Sequence, residues 1–306
     1  RRALLSGKSQ AHQDEKDALC LARSCRVFDL CGVCHPHLFG QVSLGRRRRI
    51  YRGSFQGVDR LMRYKLTLCY DGGDFYGFQR QRGLISVQEC LETALSTKLN
   101  MPISTVCAGR TDAGVHALGQ VVHFDYDGEL PSDFGFRLNP LLPESIAVLS
   151  CERVPESFHA RFSAKRKTYR YDICLSKLHA PLKRRYAHIC VYDLNVENMK
   201  KACACLLGTH DFRSFALAES VRGKSTVRTI FDIHLKESEE GKMLSLFVTG
   251  DGFLHNMVRA IVGTLIDVGR GRFSPEDMES ILESKDRRRA GKTVEGCGLF
   301  LVNVEY

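Results

Sequence analysis

The chain has 306 residues, enough for one large domain or two ordinary ones, with 43% hydrophobic and 26% charged residues, the proportions of a soluble protein with a core. No apolar run approaches the roughly 20 residues that span a bilayer, and no N-terminal stretch has the layout of a secretory signal, so membrane and exported classes are set aside. The formal charge of +10 points toward nucleic acid, but 12 Lys/Arg against 5 Asp/Glu in residues 1–61 supply most of it, leaving 33 against 30 elsewhere. RNA affinity in the body of the chain must therefore come from how charge is arranged.

Residues 1–61 hold Cys20, Cys25, Cys31 and Cys34, the run Arg46-Arg47-Arg48-Arg49 and little apolar periodicity. They read as a basic, largely disordered leader: a fragment, a targeting extension or mistranslated upstream sequence, with Met62 as an alternative start. Cys31-Gly32-Val33-Cys34-His35 has the pattern of haem attachment, and with Cys20, Cys25 and His37 it offers zinc ligands. Neither is expected, because no export signal precedes it and the Cys20–Cys25 spacing is loose. The chain has 13 cysteines. An odd number of them without an export signal argues for reduced thiols. The expected compartment is the cytoplasm, or an organelle if the leader is a targeting extension.

From Met62 the signals sharpen. Tyr64, Leu66, Leu68 and Tyr70 alternate with Lys65, Thr67 and Cys69, the period of a half-buried strand over 64–70. The turn Asp71-Gly72-Gly73-Asp74 follows. Ser86 and Glu89 then form a capping box ahead of Val87, Cys90, Leu91, Ala94 and Leu95, which recur at helical spacing. A strand is predicted at 120–124. Further on, strands are predicted at 169–174, 227–235 and 244–249. A helix from Asn195 carries Val196, Met199, Cys203 and Leu206, with Gly208 as a suitable C-cap. Another begins near Asn256, with Met257, Val258, Ile261, Val262, Leu265 and Ile266 on one face, and ends near Gly269. A third starts at Ser274-Pro275, and a closing strand spans 299–306. Strands and helices mixed without regular βαβ alternation favour an α+β fold with a largely antiparallel sheet.

The richest segment chemically is Ala108-Gly109-Arg110-Thr111-Asp112-Ala113-Gly114-Val115-His116-Ala117. A carboxylate stands between two glycines that permit tight turns and close ligand approach, with Arg110, Thr111 and His116 available for phosphate or base contacts. On spacing alone an Asx-type turn, in which Asp112 bonds its own backbone, competes with that reading.

The whole string resembles the signature of the TruA-type tRNA pseudouridine synthases. The resemblance extends in order over about residues 63–306, through Tyr76-Gly77-Phe78-Gln79-Arg80-Gln81, Gly119-Gln120-Val121-Val122-His123-Phe124, Leu138-Asn139-Pro140-Leu141-Leu142-Pro143, Phe158-His159-Ala160-Arg161-Phe162-Ser163-Ala164, Lys167-Thr168-Tyr169-Arg170-Tyr171, His210-Asp211-Phe212 with Ser214-Phe215, and Gly252-Phe253-Leu254-His255-Asn256-Met257-Val258-Arg259. It implies a cofactor-free isomerase with Asp112 as catalytic carboxylate, Arg259 as its cationic partner and Tyr169 against the target uracil. A nearby cation favours the ionised form of a carboxylate that burial would otherwise neutralise, and an aromatic face suits a base that must swivel. Arg80, Arg110, Thr111, His116 and Arg161 are the further expected substrate contacts.

The same resemblance implies two ferredoxin-like (RRM-like) halves, 62–164 and 165–306, sharing one sheet. It also implies a homodimer acting on the anticodon stem-loop of tRNA, at positions thirty-eight to forty in tRNA numbering. A non-catalytic RNA-binding protein or tRNA chaperone on the same scaffold is the alternative, as is a relative with other RNA targets. One departure stands out. Where the family has a Thr-Ala-Pro-Ala-like segment, this chain reads Thr293-Val294-Glu295-Gly296, and the missing proline is expected to loosen the turn.

Overall fold

A computed structural model describes residues 61–306 apart from residues 177, 179, 239 and 240. The leader, with its cysteines, histidines and arginine run, lies outside the described residues.

Strand β1 (Met62–Tyr70) buries Tyr64, Leu66, Leu68 and Tyr70, as their alternation requires. Helix α1 (Val87–Leu99) starts where Ser86 Oγ accepts from the Glu89 N–H at 3.3 Å, and ends at Asn100 in the left-handed conformation. A short β2 (Val106–Cys107) leads through the Asp112 loop into β3 (His116–Tyr126), longer at both ends than predicted. Helix α2 (Phe134–Leu138) and β4 (Ile146–Val154) complete this part.

Strand β5 (Arg166–Cys174) is followed by the short helix α3 (Ala180–Lys183) and β6 (His188–Ile189). Helix α4 (Val196–Ala204) is capped by Asn195 Oδ1, which accepts from Asn198 N–H at 3.0 Å. It ends with Cys205 as C-cap, short of Gly208. Gly208, at φ 97°, instead opens β7 (Gly208–Asp211). Strands β8 (Val227–Glu237) and β9 (Met243–Gly250) follow, then helix α5 (Met257–Gly269). Before α6 (Asp277–Ser284), Ser274 Oγ accepts from Asp277 N–H while Asp277 Oδ2 accepts from Ser274 N–H at 2.7 Å. Strand β10 (Leu299–Glu305) closes the chain.

The strands join one sheet in the order β4-β1-β3-β10-β5-β9-β8-β7, with β2 beside β3 and β6 beside β5. Among the described residues only β3–β10 and β5–β6 are parallel, so the fold is α+β with a large, mainly antiparallel sheet. Two consequences position the site. The parallel pairing of His116 with Phe300 and Ala117 with Leu301 brings the end of the Asp112 loop against β10. On the other side of β10, Leu301 pairs with Tyr169 of β5. A single strand therefore separates the loop from that tyrosine.

Helix α5 is buried along nearly its whole length and leaves Arg259 the least covered of its residues. Each fully buried aliphatic side chain there contributes about 1.5–3 kcal/mol. Gly263 permits this depth, because a Cβ at that position would overlap the carbonyl of Lys292. No helix among the described residues is long and apolar enough to cross a membrane.

Candidate active site

The Asp112 loop is tied down at each stage. Ala108 N–H donates to the Val121 carbonyl at 2.8 Å, and the Ala108 carbonyl accepts from Lys167 Nζ at 2.8 Å. That lysine is drawn inward, and burial lowers its pKa. The Thr111 carbonyl accepts from Phe78 N–H at 3.0 Å. Gly77 makes that approach possible, for at φ 90° a Cβ on it would stand 2.7 Å from the same carbonyl. The turn closes through its own backbone, Val115 N–H to the Asp112 carbonyl at 3.1 Å, with Gly114 at φ 75°. The Asp112 side chain takes its partners elsewhere.

A chain of hydrogen bonds supports the loop. Gln120 Nε2 donates to the Gly109 carbonyl at 2.8 Å and to the Tyr70 hydroxyl at 3.3 Å. The Tyr70 hydroxyl and Thr111 Oγ1 share a hydrogen bond at 2.8 Å in which either oxygen can donate. All three side chains are buried, and burial raises the Tyr70 pKa well above the usual phenol range.

The carboxylate meets two residues of the segment that opens α5. Arg259 NH1 lies 3.4 Å from Asp112 Oδ2, and His255 Nε2 lies 3.2 Å from Oδ1. Arg259 is itself held: Nε donates to the Val294 carbonyl at 2.7 Å, and NH1 to Asn256 Oδ1 at 2.8 Å. Asn256 is the N-cap of α5 and adopts the left-handed conformation, φ 64° and ψ 6°. The carboxylate remains 32% exposed, so the group opens to solvent.

Tyr169 packs edge-on against Phe253, ring centroids 5.1 Å apart, and only 8% of it is exposed. Burial pushes its phenol pKa up, and the nearby Tyr70 and the negative charge of Asp112 push it further. Tyr169 thus holds its proton more tightly than a free phenol.

The sequence profile of a family described as tRNA pseudouridine synthase matches residues 68–163 and 202–306, the segments that supply Asp112 and Arg259. The chain belongs to this family. It is 47% identical over 248 residues to the tRNA pseudouridine synthase A of Bacillus subtilis, covering 80% of this chain and 99% of that one. The protein of the same name from an Exiguobacterium species is 43% identical over 80% of this chain and 98% of its own length, and that from a Thermoanaerobacter species 41% over 79% and 98%.

Among the synthase residues expected from sequence, Asp112 and Arg259 meet, and Tyr169 lies near enough for the Asp112 charge to act on its phenol. Thr111 and His116 lie inside. Thr111 takes the Tyr70 hydrogen bond. His116 Nδ1 accepts from Gly72 N–H at 3.0 Å, which leaves Nε2 carrying the proton toward the carbonyls of Arg185 and Cys297, each 3.1 Å away. Its ring stacks on Phe300, and burial lowers its pKa. Arg110 and Arg161 are exposed, Arg161 with its guanidinium 5.6 Å from the exposed Phe162 ring. Arg80 is half-exposed and donates to Glu92 Oε2 at 3.0 Å.

Sequence reasoning did not single out Tyr70, Gln120, His255 or Asn256 for the site. His255 and Asn256 stand in the quoted string, but nothing in it reveals the left-handed turn. The segment 293–298 is held and not loose: Val294 N–H donates to the Arg259 carbonyl at 3.4 Å, and the Glu295 carbonyl accepts from Tyr171 OH at 2.8 Å.

Proposed function

We propose that Asp112 is the catalytic carboxylate of this synthase, Arg259 the cation paired with it, and Tyr169 the ring that holds the target uracil. Membership of the family makes the chain an isomerase that converts uridine in tRNA to pseudouridine. In that conversion the bond from ribose C1′ to uracil N1 breaks, the base turns, and C1′ rejoins at C5. The C5 proton is lost and one is gained at N1, so composition is unchanged. A carboxylate anion serves either as nucleophile or as proton acceptor in such a sequence. The neutral Tyr169 supplies a face and a hydroxyl without competing for the proton.

The observation that carries this reading is the meeting of Asp112 and Arg259 at 3.4 Å, from segments 147 residues apart, at an opening to solvent. The target base reaches that opening by leaving its stack, at a cost of a few kcal/mol. The exposed Arg110 and Arg161, with half-exposed Arg80, hold the flanking phosphates. The substrate region is the anticodon stem-loop, gripped by a homodimer. The fold is read as two ferredoxin-like halves, 62–164 and 165–306. Support comes from strand order, since β4, β1 and β3 lie on one side of β10 and β5, β9, β8 and β7 on the other.

The test is tRNA incubated with the wild-type protein and with Asp112→Asn. Wild type forms pseudouridine, whereas the variant forms none and still binds tRNA. Equal modification by both sinks the reading. No modification by either leaves an RNA-binding protein or chaperone in its place. Mapping pseudouridine in tRNA from cells with and without the gene tests the anticodon assignment.

A further inference from the structure

We infer that His255 is a positioning residue for Asp112, its Nε2 set against Oδ1 in the free protein, and that Oδ1 is the oxygen released for reaction. This rests on the reading of Asp112 as the catalytic carboxylate.

The two carboxylate oxygens are held unequally. Oδ2 faces Arg259, whose guanidinium is fixed at two further points, the Val294 carbonyl at 2.7 Å and Asn256 Oδ1 at 2.8 Å. The guanidinium itself is therefore fixed in place, although the carboxylate touches it at one point. Oδ1 faces His255 Nε2 at 3.2 Å, and the histidine side chain is 44% exposed. Against an acceptor-only carboxylate, the useful form of the ring is one with a proton on Nε2, and the contact is by proximity at 3.2 Å. A half-exposed side chain with one such contact is easily displaced by an incoming nucleoside. Substrate entry then frees Oδ1 while Oδ2 stays anchored.

The local backbone is consistent with the assignment. Asn256, between the two partners, adopts the left-handed region at φ 64°, which asparagine tolerates better than other residues with a Cβ. Here the turn lets His255, still in the loop, and Arg259, one turn into α5, reach opposite oxygens of one carboxylate.

The experiment is single-turnover pseudouridine formation at saturating tRNA, with tRNA affinity measured in parallel, for His255→Ala, His255→Gln and Asp112→Asn. The expected result is a rate lowered about 10–100-fold in His255→Ala, the order for loss of one preorganised donor. Affinity stays within about threefold, because phosphate contacts supply most of it. His255→Gln, which keeps an N–H donor, recovers most of the rate. A wild-type or faster rate in His255→Ala overturns the inference, as does a glutamine variant no faster than the alanine one. If Asp112→Asn is inactive in the same series, those outcomes count against His255 alone; if it is active, the reading of the site itself fails.

Discussion

Arg259 reaches Asp112 with its guanidinium already committed at two other points. Nε donates to the Val294 carbonyl and NH1 to Asn256 Oδ1, while the same NH1 lies 3.4 Å from Asp112 Oδ2. Only a planar fork of donors satisfies three acceptors in that arrangement, and a lysine ammonium is a single point charge on a flexible stem. Arg259→Lys therefore keeps the charge and loses the geometry. Single-turnover pseudouridine formation should fall roughly 100-fold, the order for misplacing a preorganised electrostatic partner. A rate within threefold of wild type would show that charge alone suffices.

Asn256 serves two purposes that substitution can separate. Its backbone occupies the left-handed region, and its side-chain oxygen accepts from Arg259. Glycine enters that region freely but has no amide, whereas alanine has neither advantage. In urea unfolding, Asn256→Ala should be less stable than Asn256→Gly by about 1 kcal/mol. Both should lose activity through a freer Arg259. Equal stability of the two variants would mean that the turn is not strained.

Much of the fold is visible in the sequence. The alternation of Tyr64, Leu66, Leu68 and Tyr70 marks β1, Ser86 and Glu89 mark the start of α1, and the apolar recurrence from Met257 marks α5. The two long-sheet strands not read beforehand, β4 and β7, are its edges. An edge strand has one neighbour and less to bury. After Ile146 and Val148 the residues of β4 are exposed or half-buried, and β7 is Gly-Thr-His-Asp. At the site, residue type suggests chemistry but not direction. Thr111 and His116 have groups that suit a ligand, and they point into the protein, where Tyr70, Gly72 and two carbonyls take them up. Asp112, Arg259 and Tyr169 come from three separate segments, so bringing Tyr169 near the Asp112 loop depends on β10 lying between β3 and β5.

The buried chain Gln120–Tyr70–Thr111 makes the loop's shape depend on one phenol. Tyr70→Phe keeps the ring that packs near Phe78, with centroids 6.4 Å apart, and removes the hydroxyl. Gln120 Nε2 then keeps only the Gly109 carbonyl, and Thr111 Oγ1 loses its hydroxyl partner. The cost should be about 1–2 kcal/mol in urea unfolding, the penalty of an unmade buried hydrogen bond. Turnover should fall more than tRNA affinity, because the loop's shape sets Asp112 and not the phosphate contacts. Lost affinity at unchanged turnover would contradict this.

His123 should make stability depend on pH between about 4 and 6.5. Its Nδ1 accepts from the Ala160 N–H at 3.1 Å, a bond that protonation of Nδ1 destroys. Burial first, and then the charges of Arg63 and His159, push its pKa down to about 4 from the ordinary 6.5. Because the folded-state pKa is the lower one, the unfolded chain binds more protons across that window, so stability rises with pH and is lost as pH falls from about 6.5 toward 4. The full difference amounts to about 3 kcal/mol at most. Asp125, whose pKa is lowered mainly by its hydrogen bond from Arg63, contributes in the same direction at lower pH, where its own protonation sets in. Replacing His123 with Asn keeps a hydrogen-bonding side chain that does not titrate. Urea unfolding at intervals from pH 4 to 7 should then show a clear slope for the wild type above pH 4.5 and a much flatter one for His123→Asn. Parallel curves would place the acid sensitivity elsewhere in the chain.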